Sequence, residues 1–247
     1  MGNVLFYFLA IAALLAYAVF IIRTAAHLAL WLKGPSAEKP GHGQAPGRGI
    51  GAASAGYGIA AAVMDVVFLR RLFKVNRVLW LGEWVFHASF FLVLVRHLRY
   101  FLTPVPKFVW QMQPAGRTAG YVLPLSLLYI IIIKAAVNRG RQMFAYNYFL
   151  LSILFVISSL GVLMSVYFHP DIVAVKEFMM FSLDPGALFH FSGAVPASIL
   201  GDMSGLSDWA PFLAHFLLAL VLLLYLPTHI FAAPFTIYQA KRREGSM

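Results

Sequence analysis

Five stretches of this chain run for some twenty residues with hardly a charge, the length a helix needs to cross a hydrocarbon core of about 30 Å. In lipid every peptide group must find its partner within the protein, so only helices or closed barrels can span. Barrel strands alternate apolar and polar residues, and these runs are too long and too continuous for that. The sequence therefore reads as an all-α integral membrane protein. It is expected to form a five-transmembrane-helix bundle over about 3–32, 78–102, 119–137, 145–168 and 209–233, in one membrane domain over 1–247. Composition agrees, with 61% hydrophobic and 11% charged residues.

Residues 55–75 fit the pattern less well. Their apolar part is short, opens on glycines, contains Asp65 and closes on Arg70, Arg71 and Lys74. That pattern suits an additional interfacial helix better than a sixth crossing. The first apolar run lacks a basic leader and a small-residue cleavage site, so a retained helix is expected.

Charge sets the expected orientation. Lys33, Lys39, Arg48, Arg70, Arg71, Lys74 and Arg77 precede the second helix, Arg139 and Arg141 follow the third, and Lys241, Arg242 and Arg243 lie in the tail. Basic loops stay on the cytoplasmic side. Five crossings of a cytoplasmic (inner) membrane, with the amino terminus outside and the tail inside, gather all these clusters on one face. The net charge of +10 is then a topology signal, and no nucleic acid partner is expected. The chain has no cysteine, which excludes disulfides, thiolate metal sites, iron–sulfur clusters and covalently attached c-type haem within it.

Ionisable residues inside a membrane are functional candidates. Of eight histidines, His27, His42, His169 and His190 fall in loops or near interfaces and read as solvated or snorkelling side chains. The other four lie within two helices: His87 and His97 on the second, His215 and His229 on the fifth. Spacings of ten and fourteen residues correspond to about 15 and 21 Å of helix rise, and leave each pair about 80° and about 40° apart around its helix. Packed antiparallel, the two helices bring His97 level with His215 on the outer side and His87 level with His229 on the inner side. Each pair can supply two axial imidazole nitrogens to one haem iron, so two haem b groups are expected, one near each leaflet. Arg96 and Arg99 flank His97. They suit haem propionates, and equally suit anchoring at the membrane interface.

The stretch WLGEWVFHASFFLVLVRHLRYFLTPVP, with DIVAVKEFMM and FLAHFLLALVLLLYLPTHIFAAPFTIY further on, resembles the membrane cytochrome b of the dissimilatory sulfite reductase-associated (Dsr) complex. It also resembles the heterodisulfide reductase membrane subunit and, in the spacing of its histidines, the gamma subunit of respiratory nitrate reductase. The resemblance covers most of residues 1–240 and is specific in the second and last helices. It implies a five-helix, two-haem, quinone-reactive subunit of a larger oxidoreductase, linked to sulfur metabolism. Such a subunit exchanges electrons between menaquinol and a cytoplasmic iron–sulfur partner of the heterodisulfide reductase type, alongside further membrane or periplasmic subunits. It also suggests a quinone pocket near the outer haem, with Lys107, Lys176 and Glu177 as candidates. Ordinary loop charge accounts for those three residues as well. Two rival readings are a proton channel or transporter relaying through the histidines, with Glu83 as a member, and a structural anchor in the lipid bilayer.

Overall fold

The computed structural model describes residues 2–33, 67–137, 145–184, 186 and 206–229. Among them every regular element is helical and no strand occurs. In order these are α1 (Gly2–Lys33), α2 (Arg70–Val75), α3 (Arg77–His97) with a 3-10 turn at Leu98–Tyr100, α4 (Lys107–Gln111), α5 (Gln113–Val137), α6 (Ala145–Leu163) running into a π-helical turn at Met164–Phe168, α7 (Ile172–Ser182) and α8 (Leu206–His229). Five helices are long and apolar enough to cross a membrane, over Phe6–Ala29, Arg77–Tyr100, Gln113–Ala136, Tyr148–Phe168 and Trp209–Pro227. This is a multi-pass membrane protein. On α1, Phe8 and Leu15 are 65% and 61% exposed, apolar side chains of the kind a hydrocarbon core accommodates.

The structure adds to the expected pattern at three points. The third crossing begins at Gln113 instead of 119, because the backbone helix continues beyond its apolar stretch through Arg117 and Thr118. Pro114 fits in its first turn, where a missing N–H costs nothing. The long connection after the fourth crossing contains α7. Asp171 caps that helix, its carboxylate accepting from the Val173 N–H at 2.9 Å, which satisfies one of the free donors at the helix start. The second crossing stops being α-helical at His97. The expected interfacial helix at 55–75 lies largely outside the described residues, as do 230–233 of the last crossing; 67–75, which include α2, are the described part of the former.

The chain divides into two units. The first comprises Met1–Tyr17 and Leu81–Leu222. In it α7 buries Ala174, Val175, Phe178, Met179 and Ser182, the two-turn stripe of an amphipathic helix. Phe178 packs edge-on against Phe6 at 5.2 Å and against Phe216 at 5.1 Å between ring centroids. In lipid such tight packing replaces the hydrophobic effect as the source of helix association. Glycine permits the closest approaches. A Cβ on Gly82 of α3 would lie 2.5 Å from the Tyr129 ring of α5, and one on Gly116 of α5 would lie 2.8 Å from Arg96 Cβ.

The second unit comprises Ala18–Trp80 and Leu223–Met247. In it Asn76 caps α3, its side chain accepting from the Leu79 N–H at 3.0 Å. The Trp80 indole donates to the Phe68 carbonyl at 2.8 Å, and the Arg77 guanidinium lies 5.2 Å over the Phe73 ring. Arg23 donates to the Leu224 carbonyl at 3.2 Å, beside the point where Pro227 interrupts the backbone bonding of α8.

Candidate functional site

His97 ends α3. Its Nδ1 lies 2.7 Å from the Val93 carbonyl one turn earlier. His215 sits on the first turns of α8, and its Nδ1 lies 2.9 Å from the Ile157 carbonyl of α6. A carbonyl oxygen only accepts, so in each case Nδ1 is the protonated nitrogen. In the neutral ring Nε2 then keeps its lone pair. This is the tautomer of a metal-binding histidine, whose second nitrogen is normally held by a carbonyl or carboxylate.

The two rings come together, with centroids 6.4 Å apart and planes 13° from parallel. Imidazoles on opposite sides of one metal ion, at about 2 Å from each nitrogen, hold their centroids about 6 Å apart. Among the described residues no group of three or more His, Asp or Glu side chains converges as a metal site. Two imidazoles alone suit an ion whose remaining ligands belong to a prosthetic group, as in haem. Spacing, tautomer and donor number all suit two residues that would hold one haem.

The surroundings of this pair were only partly foreseen. Gly161 of α6 faces His215: a Cβ there would lie 3.4 Å from the ring's Cε1 and 3.8 Å from Nδ1. Tyr100 stands 5.9 Å from His97, ring to ring. Arg99 lies 4.7 Å over the Tyr100 ring, bonds its hydroxyl, and donates to Gln113 Oε1 at 3.1 Å. Gln113 is held in turn by the Val109 carbonyl at 3.1 Å. The Nε of Arg99 is buried and makes no hydrogen bond among the described residues, a donor suited to a carboxylate. Arg96 is placed differently. Its stem lies along α5 at Gly116, with Nη1 4.0 Å from where a Cβ of Gly120 would be.

The other expected pair, His87 with His229, falls partly outside the described residues. His87 is exposed, and its Nδ1 donates to the Glu83 carbonyl at 2.6 Å. That again leaves Nε2 as the free nitrogen, but the side chain of His229 lies outside the described part of the structure. The Glu83 carboxylate is paired with Lys134 of α5 at 2.7 Å. Of the quinone-site candidates, Lys107 is exposed at the start of α4, while Lys176 and Glu177 are half-buried on α7. That helix packs against the 3-10 turn that follows His97.

Sequence reasoning missed Ile157, Gly161, Tyr100, Gln113 and Lys134. An isolated glycine within a helical run, as at 161, is a signal for close approach. Ile157 acts through its backbone, which no side-chain pattern reveals.

No protein-family model matches the chain, and no solved structure gives a significant match. Two curated proteins are similar to it, both described as an Hdr-like menaquinol oxidoreductase cytochrome b-like subunit. The one from Archaeoglobus fulgidus is 28% identical over 188 residues, covering 67% of this chain and 53% of the relative. The one from Archaeoglobus profundus is 27% identical over 164 residues, covering 62% and 45%. This chain thus spans about half the length of the curated relatives it matches. The relatives and the five apolar helices agree on a multi-pass membrane protein similar to cytochrome b-like subunits.

Proposed function

We propose that this chain is a haem b-binding membrane subunit of a quinone-linked oxidoreductase. In this reading it exchanges electrons between menaquinol and a cytoplasmic iron–sulfur partner subunit of a heterodisulfide reductase-like complex. The observation that carries the reading is the His97–His215 pair, two near-parallel imidazoles 6.4 Å apart with both Nδ1 atoms tied to backbone carbonyls. The names of the two relatives point to the same chemistry.

His97 and His215 would hold one haem through Nε2. His87 and His229 would hold a second near the inner leaflet, an assignment that rests on their spacing in the sequence. Bound haem b supplies reversible one-electron transfer at each site. Arg99, its guanidinium fixed by Tyr100 and Gln113, would hold a propionate through its buried Nε. The Val93 and Ile157 carbonyls and the close approach of Gly161 restrain the two imidazoles.

Lys176, Glu177 and Lys107 are the polar groups proposed for the quinone headgroup near the outer pair. With the amino terminus outside, quinol oxidised there releases its protons outside while its electrons go to the cytoplasmic partner. The basic inner loops and tail offer that partner a docking face. A proton channel is the weaker reading, because Glu83, the acidic residue of α3, is already paired with Lys134 at 2.7 Å.

The deciding experiment is a reduced-minus-oxidised optical spectrum of the purified protein, with haem quantified per chain. Low-spin b-type bands that weaken in His97→Ala and His215→Ala are the expected result. A protein without such bands would return the channel or anchor readings.

A further inference from the structure

We infer that Gly161 is a positioning residue for His215, and that α6 forms a third wall of the His97–His215 site. The inference rests on the haem reading above and goes beyond it, because neither the histidine spacing nor the relatives' names involve α6.

Positions four apart in a helix lie one above the other on the same face. On α6 that face presents Ile157, Gly161 and then Ser165 in the π-helical turn. The Ile157 carbonyl takes the Nδ1 proton of His215 at 2.9 Å. One turn on, Gly161 leaves room for the ring edge: a Cβ there would lie 3.4 Å from Cε1. The Ser165 hydroxyl donates to the Gly161 carbonyl at 3.0 Å, so the glycine's own backbone is held as the helix widens. The imidazole of His215 is therefore fixed by a hydrogen bond at one atom and a surface contact at the next.

This makes the site sensitive to side-chain size at 161 in a graded way. A Cβ at 3.4 Å from the ring is an ordinary van der Waals contact, so alanine fits. A further carbon, roughly 1.5 Å beyond Cβ, does not. Valine is the sharpest probe, since a branched Cβ in a helix has one strongly preferred rotamer and cannot swing both methyls away. The ring must then turn or retreat, giving up the Ile157 bond and its plane relative to His97.

The test is a titration of hemin into the protein in lipid nanodiscs, followed by the Soret band and the low-spin electron paramagnetic resonance signal. Wild type and Gly161→Ala should bind alike. Gly161→Val should bind about 10- to 100-fold more weakly, the usual cost of disturbing a partner that orients a metal ligand, and should show a high-spin component. Val156→Ala, on the same helix at a 44% exposed position, should match wild type. If Gly161→Val does not accumulate, Gly161→Ser is read in its place, with intermediate weakening expected. Equal binding and an unchanged low-spin signal in the largest variant that accumulates would overturn the inference and leave the haem reading standing. Equal weakening in Val156→Ala would also overturn it, showing general helix damage. Failure of the wild type to bind hemin in low-spin form would remove both.

Discussion

Lys134 reaches across from α5 to place its Nζ 2.7 Å from the carboxylate of Glu83, whose own carbonyl accepts from His87 Nδ1 at 2.6 Å. One residue thus joins an ion pair between two helices to the fixing of a histidine ring. Both charges are largely withdrawn from solvent, with side chains 20% and 15% exposed. Removing one partner leaves the other uncompensated. Lys134→Met should therefore destabilise the protein by about 1–3 kcal/mol. Lys134→Met combined with Glu83→Gln should recover part of that loss. Thermal unfolding in detergent, arranged as a double-mutant cycle, measures both; additive losses would show that the pair is not coupled.

The histidines should act in pairs. His97→Ala and His215→Ala should each remove the same haem, and the double variant should lose no more than either alone. His87→Ala and His229→Ala should together define a second. Haem per protein and the low-spin signals of the four variants check this. A single variant that retains the full complement would strike that residue from the ligand set.

Arg99 should matter through its fork of donors. Arg99→Met should weaken hemin binding by about 10-fold, within the range for groups that support a metal site. Arg99→Lys should not restore it, because an ammonium lacks the planar geometry that bonds Gln113, Tyr100 and a carboxylate together. Unchanged binding in Arg99→Met would assign this residue to interface anchoring.

Asp171 should contribute as a helix cap. Asp171→Ala should cost about 0.5–2 kcal/mol, while Asp171→Ser or Asp171→Asn should cost much less. Thermal unfolding resolves the difference, and equal losses in all three would mean that the cap is not what stabilises α7.

Orientation should follow charge. Reporters fused at residue 40 and at the tail should be cytoplasmic, and one within 185–205 should be external. A cytoplasmic signal from the 185–205 fusion would reverse the proposed direction of proton release.

Much of this was legible in the sequence, and the remainder was hidden for identifiable reasons. Apolar length marked the crossings, since lipid leaves a helix few alternatives. The histidines stood out because an imidazole inside such a run needs a partner. The early start of α5 at Gln113 was not legible, because a helix need not end where its hydrophobic stretch does. Helix α7 could have been found from Asp171 followed by an amphipathic turn, yet its loop setting concealed it. The Lys134–Glu83 pair was not legible, since nothing local links two residues on different helices. Ile157 gave no signal at all, because every residue carries the carbonyl it uses.

The two rings of the central pair are secured in different ways, and this sets an order of assembly. His97 is tied to Val93 within its own helix, so its orientation is complete as soon as α3 has formed. His215 is tied to Ile157 of α6, and its orientation exists only once α6 and α8 have met in register. A slip of one residue, about 1.5 Å along the axis, is enough to break that bond. One half of the cradle is thus ready early in membrane insertion, and the other half closes only when α8 has docked.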